Sequence, residues 1–287
     1  MGQAGGVPAS DYERAHAKLT RSLRVTGVRD DGYHLLESEM VSLDLADDLQ
    51  FVRGSSGLQI VDEVAWTGGD PDRSSPGRSR RSDRRGVGRQ VAPGAENLVS
   101  RALAATNRSA RVRLVKRIPH GAGLGGGSAD AAAVLRWAGE VRPDVAMSLG
   151  SDVAFCLRGG RAMVRGAGEE IEPLVYERIG VAMVTPPIAV PTPGVYRAYD
   201  ELGGPRGEHG NDLEPAALAL APRLSWWRDL LAEVTSLEPR LAGSGGTFFV
   251  ECDPGEAARL AAQLIEATAL SRAVVTAAVT VPARLVS

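Results

Sequence analysis

Apolar and polar positions along this 287-residue chain change period several times, and the changes mark its elements. Alternating stretches near Val181–Val184, Phe248–Glu251 and Val274–Val281 read as strands, because side chains two apart share one face of a pleated backbone. Between the last two, Gly255–Ala269 spaces its apolar residues as an amphipathic helix does. Earlier in the chain, Val112 and Leu114 lie in a short strand that Pro119 stops, and Ala131–Ala138 can only be helix, with Ser128 or Asp130 expected to start it. Glu96–Ala105 predicts another helix, and Asp144–Gly150 a short one leading into Ser151-Asp152. Runs of both types, with no internal repeat, predict an α+β protein with mixed or antiparallel sheets. From Asp70 to Arg89 periodicity vanishes into Arg, Ser, Gly, Asp and Pro, including Arg78, Arg80, Arg81, Arg84 and Arg85. Such a stretch cannot bury enough apolar surface to offset the cost of ordering it, so a mobile, solvated loop is expected over about 70–89, with a polyanion-binding patch as the alternative.

The segment from Ile118 to Ala133 reads I-P-H-G-A-G-L-G-G-G-S-A-D-A-A-A, with five glycines between Gly121 and Gly127. Each glycine costs about 0.5–1 kcal/mol relative to Ala in regular structure, so this density calls for a close ligand or a close backbone. Strand, bare loop and helix N-terminus in that order present unblocked N–H groups and the positive end of the helix dipole to an anion. Gly121-x-Gly123-x-x-Gly126 formally meets the dinucleotide fingerprint, but a lone match is weak without an acidic residue about 20 positions on, at the end of a second strand. A P-loop is excluded, since no Gly-Lys-Ser/Thr follows the glycines.

Length allows two ordinary domains with a sizeable core. A net charge of −2 and a pI near 6.1 argue against a general nucleic-acid binder, and 44% hydrophobic with 24% charged residues is the balance of a soluble globular enzyme. No apolar stretch approaches the roughly 18 residues that would span a bilayer, so no membrane association is expected. Cys156 and Cys252 are the only cysteines and lie far apart, which indicates neither a disulfide framework nor a metal cluster and suits a reducing cytoplasm. Cys156, within V-A-F-C-L, is expected to be a small buried hydrophobe. Lys18 and Lys116 are the only lysines among 33 basic residues, and a compact ammonium differs chemically from a guanidinium fork.

The run P-x-G-A-G-L-G-G-G-S-A-D-A-A closely resembles the second motif of the GHMP superfamily of small-molecule kinases, which includes galactokinase, homoserine kinase and mevalonate kinase. The resemblance covers nearly the whole chain outside the Arg-rich loop. Ala17-Lys18-Leu19, Leu23-Arg24-Val25-Thr26-Gly27, Asp31-Gly32-Tyr33-His34, Glu96-Asn97-Leu98, Leu149-Gly150-Ser151-Asp152-Val153, Gly159-Gly160 with Gly166 to Glu169, Pro191-Thr192-Pro193, Asn211-Asp212-Leu213-Glu214 and Ala242-Gly243-Ser244-Gly245-Gly246-Thr247 stand in the order of one branch. That branch phosphorylates the 2-hydroxyl of a cytidine-diphosphate-linked methylerythritol in the non-mevalonate isoprenoid pathway. Asp31-Gly32-Tyr33-His34 and the late Ala242–Thr247 run are its more specific parts.

The resemblance implies a two-lobed fold: an N-terminal nucleotide-binding lobe over 1–165 and a C-terminal ferredoxin-like α/β-sandwich lobe over 166–287. It implies ATP and Mg²⁺ as cofactors and a small cytidine-diphosphate substrate as partner, in a monomer or homodimer. Phosphoryl transfer to an alcohol needs in-line geometry, charge stabilisation and a group to orient or deprotonate the hydroxyl. By resemblance Asp152 is the carboxylate beside that hydroxyl and Lys18 the cation paired with it. Pro119, Gly121, Ala122, Gly123, Leu124, Gly125, Gly126, Gly127 and Ser128 would bind ATP, with Ser128 the contact to Mg²⁺ by way of the phosphates. Tyr33 and Tyr196 would stack on cytosine and His34 would read its edge, while Gly243, Ser244 and Gly245 approach the substrate diphosphate. Asn211 and Asp212 taken alone are a turn or a helix cap, and Ala242–Thr247 a tight turn between helix and strand.

Some positions depart from the pattern: Leu19, Thr20 and Arg21 follow Lys18 where an apolar residue, Asn and Leu are usual. Thr20 keeps a hydroxyl, whereas Arg21 puts a charge on an expected core strand. Val134–Leu149 is shorter than usual, and Ala154 stands where Pro is usual. The alternatives are a sibling kinase acting on homoserine or mevalonate, which would lack a cytosine-stacking pair, and a degenerate paralogue that binds nucleotide without turnover.

Overall fold

The computed structural model describes residues 10–67 and 97–283. Its spine is a long antiparallel pair, β1 (Ser10–Val28) and β2 (His34–Arg53), joined by the turn at Arg29–Tyr33. The pairing breaks register between His16 and Lys18, Thr20 and Ser22, and Val25 and Gly27. At the first break the extra residues are on β2, where 43–45 stand opposite Ala17, and at the other two a single extra residue, Arg21 and then Thr26, is on β1. Ala17, Lys18, Leu19 and Thr20 are all buried in succession because both faces of β1 are covered here, Ala17 and Leu19 in an apolar core and Lys18 and Thr20 in a cleft, a pattern that hides the strand from any search for alternation.

Beyond β1, different parts of β2 take different partners. Leu36–Val41 pairs with β5 (Arg161–Gly166), which carries β6 (Glu170–Pro173), while Asp48–Arg53 pairs with β4 (Ala110–Lys116), which carries β3 (Gly57–Asp62) in parallel. Helices α1 (Leu98–Ala105), α2 (Gly126–Ala138), α3 (Pro143–Leu149) and α4 (Ser151–Arg158) accompany this sheet. Small side chains at Ala129 and Ala131–Ala133 let α2 lie close against β1, within a core that also holds Leu49, Phe51, Leu114, Leu135 and Phe155. Cys156 is buried at its margin, and that burial pushes its thiol up to about 12, so it behaves as a small hydrophobe.

The second sheet holds β7 (Gly180–Thr185), β8 (Arg240–Leu241), β9 (Phe248–Cys252) and β10 (Val274–Val281) in the order β10-β7-β9-β8, with antiparallel pairs throughout. With α5 (Thr192–Glu201), α6 (Glu214–Leu220) and α7 (Leu224–Thr235) between its first two strands and α8 (Ala257–Ala267) before the last, this is the ferredoxin-like sandwich. Ala182, Val184, Phe248 and Val250 face the helices. Val181, Met183 and Phe249 turn the other way and join Ala17, Leu19, Val41, Leu43, Ile118, Ala122 and Leu124 in a third cluster that fastens the two lobes together.

The expected strands and the helices at 96–105, 144–150 and 255–269 all appear, within two residues at each end; Glu96 and the Arg-rich stretch 70–89 lie outside the described residues. Two expectations need revision, the start of the second helix and the lobe boundary. The helix expected from Ala131 begins at Gly126, so neither Ser128 nor Asp130 caps it; Gly125, left-handed at φ 65°, does. The shortened Val134–Leu149 segment still forms two helix ends, with Gly139 closing α2 and Pro143 opening α3. A lobe boundary at 166 would split the β5–β6 hairpin, both strands of which belong to the first sheet, while the second sheet starts at Gly180.

Polar ties reinforce the junction. Arg21 is not a stray charge in a core: it donates to both carboxylate oxygens of Glu251 at 2.6 and 2.7 Å and to Glu39 at 2.5 Å, and lies 3.3 Å from Glu177. Arg161 and Arg240 bind the same carboxylates, so three cations and three anions neutralise one another across β1, β2, β5 and β9. Asp212, wholly buried, accepts from Arg24 at 2.6 Å, Arg206 at 3.0 Å and the backbone N–H groups of Val25 and Gly207, both at 3.1 Å. Burial alone would raise its carboxyl, but Arg24 and the two N–H groups outweigh that and hold it below the usual carboxylate range.

A group lowered in this way adds stability above its unfolded pKa and loses it as pH falls through the folded value. Asp212→Asn should therefore destabilise the protein by about 3 kcal/mol at pH 7, and the gap should close below pH of about 4, where the unfolded carboxyl is protonated. Urea midpoints at pH 7 and pH 3 check this; an equal gap at both would assign the loss to packing instead of charge.

Candidate active site

The glycine loop is bare because other chain segments press against it. Gly123 has φ 77°, and a Cβ there would stand 2.3 Å from the carbonyl oxygen of Ala242. Gly125 has φ 65°, and its Cβ would stand 2.6 Å from Cγ of Lys18. Gly126 opens the helix with ordinary φ, though its Cβ would crowd Ile118 at 3.1 Å and Nζ of Lys116 at 3.2 Å. Between these glycines Ala122 and Leu124 bury their side chains in the interlobe cluster, so toward a ligand they offer backbone only. The Leu124 carbonyl accepts the backbone N–H of Lys18 at 3.0 Å, which ties β1 to the loop.

Lys18 and Asp152, far apart in sequence, form an ion pair with Nζ 3.1 Å from Oδ2. Lys18 also donates to Oγ1 of Thr20 at 3.2 Å, so the ammonium bridges a hydroxyl and a carboxylate. Its side chain is buried, while that of Asp152, in the first turn of α4, keeps 30% exposure. The hairpin between β5 and β6 closes on that turn: a Cβ on Gly168 would lie 2.8 Å from the carbonyl oxygen of Ser151.

Two clefts flank the loop. One, of about 260 Å³, runs along its outer side and is lined by Pro119, His120, Gly121, Ala122, Gly127 and Ser128 together with Leu98, Lys116 and Ile118. The other, of about 220 Å³, lies between the lobes and is lined by Lys18, Thr20, Asp152, Tyr33, Tyr196, Gly243 and Ser244, with Leu23, Leu36, Ser38 and Met40 as its floor. Gly123 and Gly125 line both, so two backbone segments without side chains are the partition.

Tyr33 is 43% exposed, with the Arg29 guanidinium 5.2 Å from its ring centroid, and Tyr196 enters the same cleft from α5. Burial raises the Tyr196 phenol above its ordinary value, with Tyr33 and Asp152 adding to the effect. His34 is buried behind Tyr196, with ring centroids 4.8 Å apart, and its Nε2 lies 2.7 Å from Oδ1 of Asp200. Gly245 lines neither cleft; it packs on Val190 and Leu241.

Several residues that sequence reading passed over hold this arrangement. Asn211, read as a turn or cap, donates its carboxamide to the carbonyls of Leu241 at 2.9 Å and Gly243 at 2.7 Å, so it clamps the second glycine turn. That turn joins strands β8 and β9, not helix and strand. Thr192 shares a hydrogen bond with Ser244 at 2.7 Å, while Ser151 and Arg165 line the inner cleft. Lys116 binds Asp47 and Asp130, and Asp47 also takes the backbone N–H groups of Arg117 at 2.5 Å and Ile118 at 2.8 Å, fixing the chain where it enters the loop. The one available signal was the scarcity of lysine. Among the described residues, no three His, Cys, Asp or Glu side chains converge to hold a metal, and no helix is long and apolar enough to cross a membrane.

Comparison with known proteins agrees with this geometry. Residues 97–160 match the GHMP kinases N terminal domain family and residues 197–269 the GHMP kinases C terminal family. A 4-diphosphocytidyl-2-C-methyl-D-erythritol kinase of Paracoccus denitrificans is 36% identical over 85% of this chain and 87% of its own length. One from Pelotomaculum thermopropionicum is 34% identical over 82% and 86%. A crystal structure of 4-(cytidine 5'-diphospho)-2C-methyl-D-erythritol kinase superposes with a TM-score of 0.69 at 32% identity, covering 94% of this chain and 99% of its own. A homoserine kinase from Cytophaga hutchinsonii, with a TM-score of 0.56 at 18% identity, shares the fold.

Gly123→Ala should drive the loop off the Ala242 carbonyl and weaken ATP binding at least tenfold in a protein that still folds. Gly127→Ala meets only the movable Cδ1 of Leu98 at 3.3 Å and should change affinity less than about threefold. Calorimetric titration with a non-hydrolysable ATP analogue distinguishes them, and equal affinities for the two variants would deny the contact any role.

Proposed function

The chain belongs to the GHMP kinases, in the branch of 4-diphosphocytidyl-2-C-methyl-D-erythritol kinases, and from that premise we propose that it phosphorylates the 2-hydroxyl of 4-diphosphocytidyl-2-C-methyl-D-erythritol with ATP. The observation that carries this reading is the shared glycine wall: Gly123 and Gly125 line both clefts, with the Lys18–Asp152 pair on the inner side. A nucleotide in the outer cleft would have its phosphates against the loop amides and the N-terminus of α2. The absence of side chains on the partition lets the terminal phosphoryl group face the inner cleft.

In the inner cleft Asp152 accepts the proton of the attacking hydroxyl, and Lys18 donates to the oxygens that gather charge as the phosphoryl group moves. Thr20 keeps the ammonium directed, which supports turnover despite the missing amide, and Arg21 is neutralised by its three carboxylates. Mg²⁺ fits as a cation carried by the phosphates, because Mg²⁺ keeps several waters and needs few protein ligands. Ser128, on the outer cleft, is the residue to touch it, and the ion would neutralise phosphate charge. Two free thiols suit work in the cytoplasm.

Tyr33 and Tyr196 supply two aromatic faces for cytosine. With Nε2–H of His34 donated to Asp200, Nδ1 is left as an acceptor for the exocyclic amine of cytosine, where uracil would set oxygen against nitrogen. Homoserine and mevalonate offer nothing to these aromatics.

Asp152→Asn should lower kcat by about 10²–10⁴-fold with ATP affinity within about twofold of the parent, read by coupled ADP release and nucleotide titration. A loss smaller than about tenfold would count against the general-base role. Tyr33→Ala should raise KM for the cytidine substrate by roughly 5- to 150-fold, one lost stack, and leave KM for ATP unchanged. Asp200→Ala should narrow the preference for cytidine over uridine analogues. Unaltered discrimination would remove His34 as the edge reader.

A further inference from the structure

Along β2 the side chains of His34, Leu36, Ser38 and Met40 fall on one face, since strand positions alternate. Leu36, Ser38 and Met40 line the inner cleft, and His34 lies behind Tyr196 at its far end. Register with β1 sets Met40 opposite Thr20 and Ser38 opposite Leu23. Ser38 is therefore about 7 Å along the strand from the level of Thr20, whose hydroxyl meets the Lys18 ammonium, and about 14 Å from His34, between the reacting end and the base-reading end.

Ser38 is 1% exposed and its Oγ has no hydrogen-bond partner among the described residues. Two other buried oxygens share that condition, one on Asp130 and one on Glu214, but each belongs to a carboxyl whose second oxygen faces a cation: Lys116 at 2.7 Å and Arg228 at 3.7 Å. Ser38 has only the one oxygen. Its strand is paired on both edges here, with Leu23 on one side and Val164 on the other, so the ladder consumes the nearby carbonyls and N–H groups. Leu23, Leu36, Met40 and Val164 surround it in the cleft wall. A hydroxyl stranded among apolar groups is costly, and buried polar groups without partners call for an explanation.

We propose that Ser38 is a substrate-binding residue, whose hydroxyl takes its missing hydrogen bond from the polar stretch of the substrate that links the base to the acceptor alcohol. The inference rests on the cytidine reading above. A ribose hydroxyl and a phosphate oxygen both offer the needed chemistry. Either would restore the bond on binding, and an analogue lacking the group would leave the oxygen stranded.

Calorimetric titration of cytidine 5′-diphosphate and of cytidine into the parent enzyme, Ser38→Ala and Ser38→Thr tests this, with melting curves of the unliganded proteins. Ser38→Ala should bind cytidine diphosphate about three- to tenfold more weakly with ATP affinity unchanged, and Ser38→Thr should recover most of the loss. Unliganded Ser38→Ala should melt at the same or a higher temperature, because the stranded hydroxyl is gone. Weakening toward both ligands assigns the bond to the ribose, and weakening toward the diphosphate alone assigns it to a phosphate; each supports the proposal. Parent-like affinity in Ser38→Ala, or a melting temperature several degrees lower, overturns it by making the hydroxyl idle or structural. If the parent enzyme itself binds neither ligand while still binding ATP, the cytidine reading fails first and the role of Ser38 falls with it.

Discussion

No side chain fits between the glycine loop and the segments that press on it, and the active site depends on that exclusion. The carbonyl of Ala242 comes from the C-terminal lobe and the stem of Lys18 from the first strand, and both occupy space that a Cβ on Gly123 or Gly125 would claim. Left-handed backbone at both positions permits the approach, and glycine adopts it without the steric penalty other residues incur. One bare segment thereby serves three ends: it opens α2, forms the wall between two clefts, and seats the lysine that faces Asp152. Ala122 and Leu124 hold it down by burying the only two sizeable handles it has.

Around that contact the lobes are locked by interactions of different physical kinds. Apolar packing of Phe249, Met183, Leu19 and Leu43 is nondirectional and supplies the bulk of the adhesion. Hydrogen bonds from Asn211 and to Asp212 are directional, and they fix the second glycine turn and the first strand. The Arg21 network balances its own charge, so a cation beside the core is fully paired with carboxylates. Regular alternation from Lys18 to Thr20 completes the arrangement, because it turns both toward one site and leaves Leu19 on the opposite face in the interlobe core.

In the function we propose, specificity and chemistry occupy different parts of one cleft. The end at Lys18, Thr20 and Asp152 sets an ammonium between a carboxylate and a hydroxyl. The end at Tyr33, His34 and Tyr196 has flat faces and a hydrogen-bonding ring, while the floor between them is apolar apart from Ser38. The first end is carried by β1 and α4, and the second by the turn after β1, by β2 and by α5.

Much was legible in the order of residues. The density of glycine before Ser128 and the run of alanine after it announced a bare loop leading into a helix, because few constraints other than close approach call for so many glycines in succession. The amphipathic helix before Ala269 declared itself by period, since it buries one regular face, whereas Val181–Val184, read as an alternating strand, is a short apolar run and proves to be buried on both faces. The first two strands did not, because bulges interrupt their register and, from Ala17 to Thr20, both faces are covered. Nor could sequence tell that Arg21 would meet Glu251, 230 positions away, or that Asn211 would brace a turn 30 residues on. Residue types carry local propensity and chemistry; partners distant along the chain meet only when packing closes the lobes, so the pairing of Lys18 with Asp152 and the sharing of one glycine wall by two clefts are decisions of the tertiary structure.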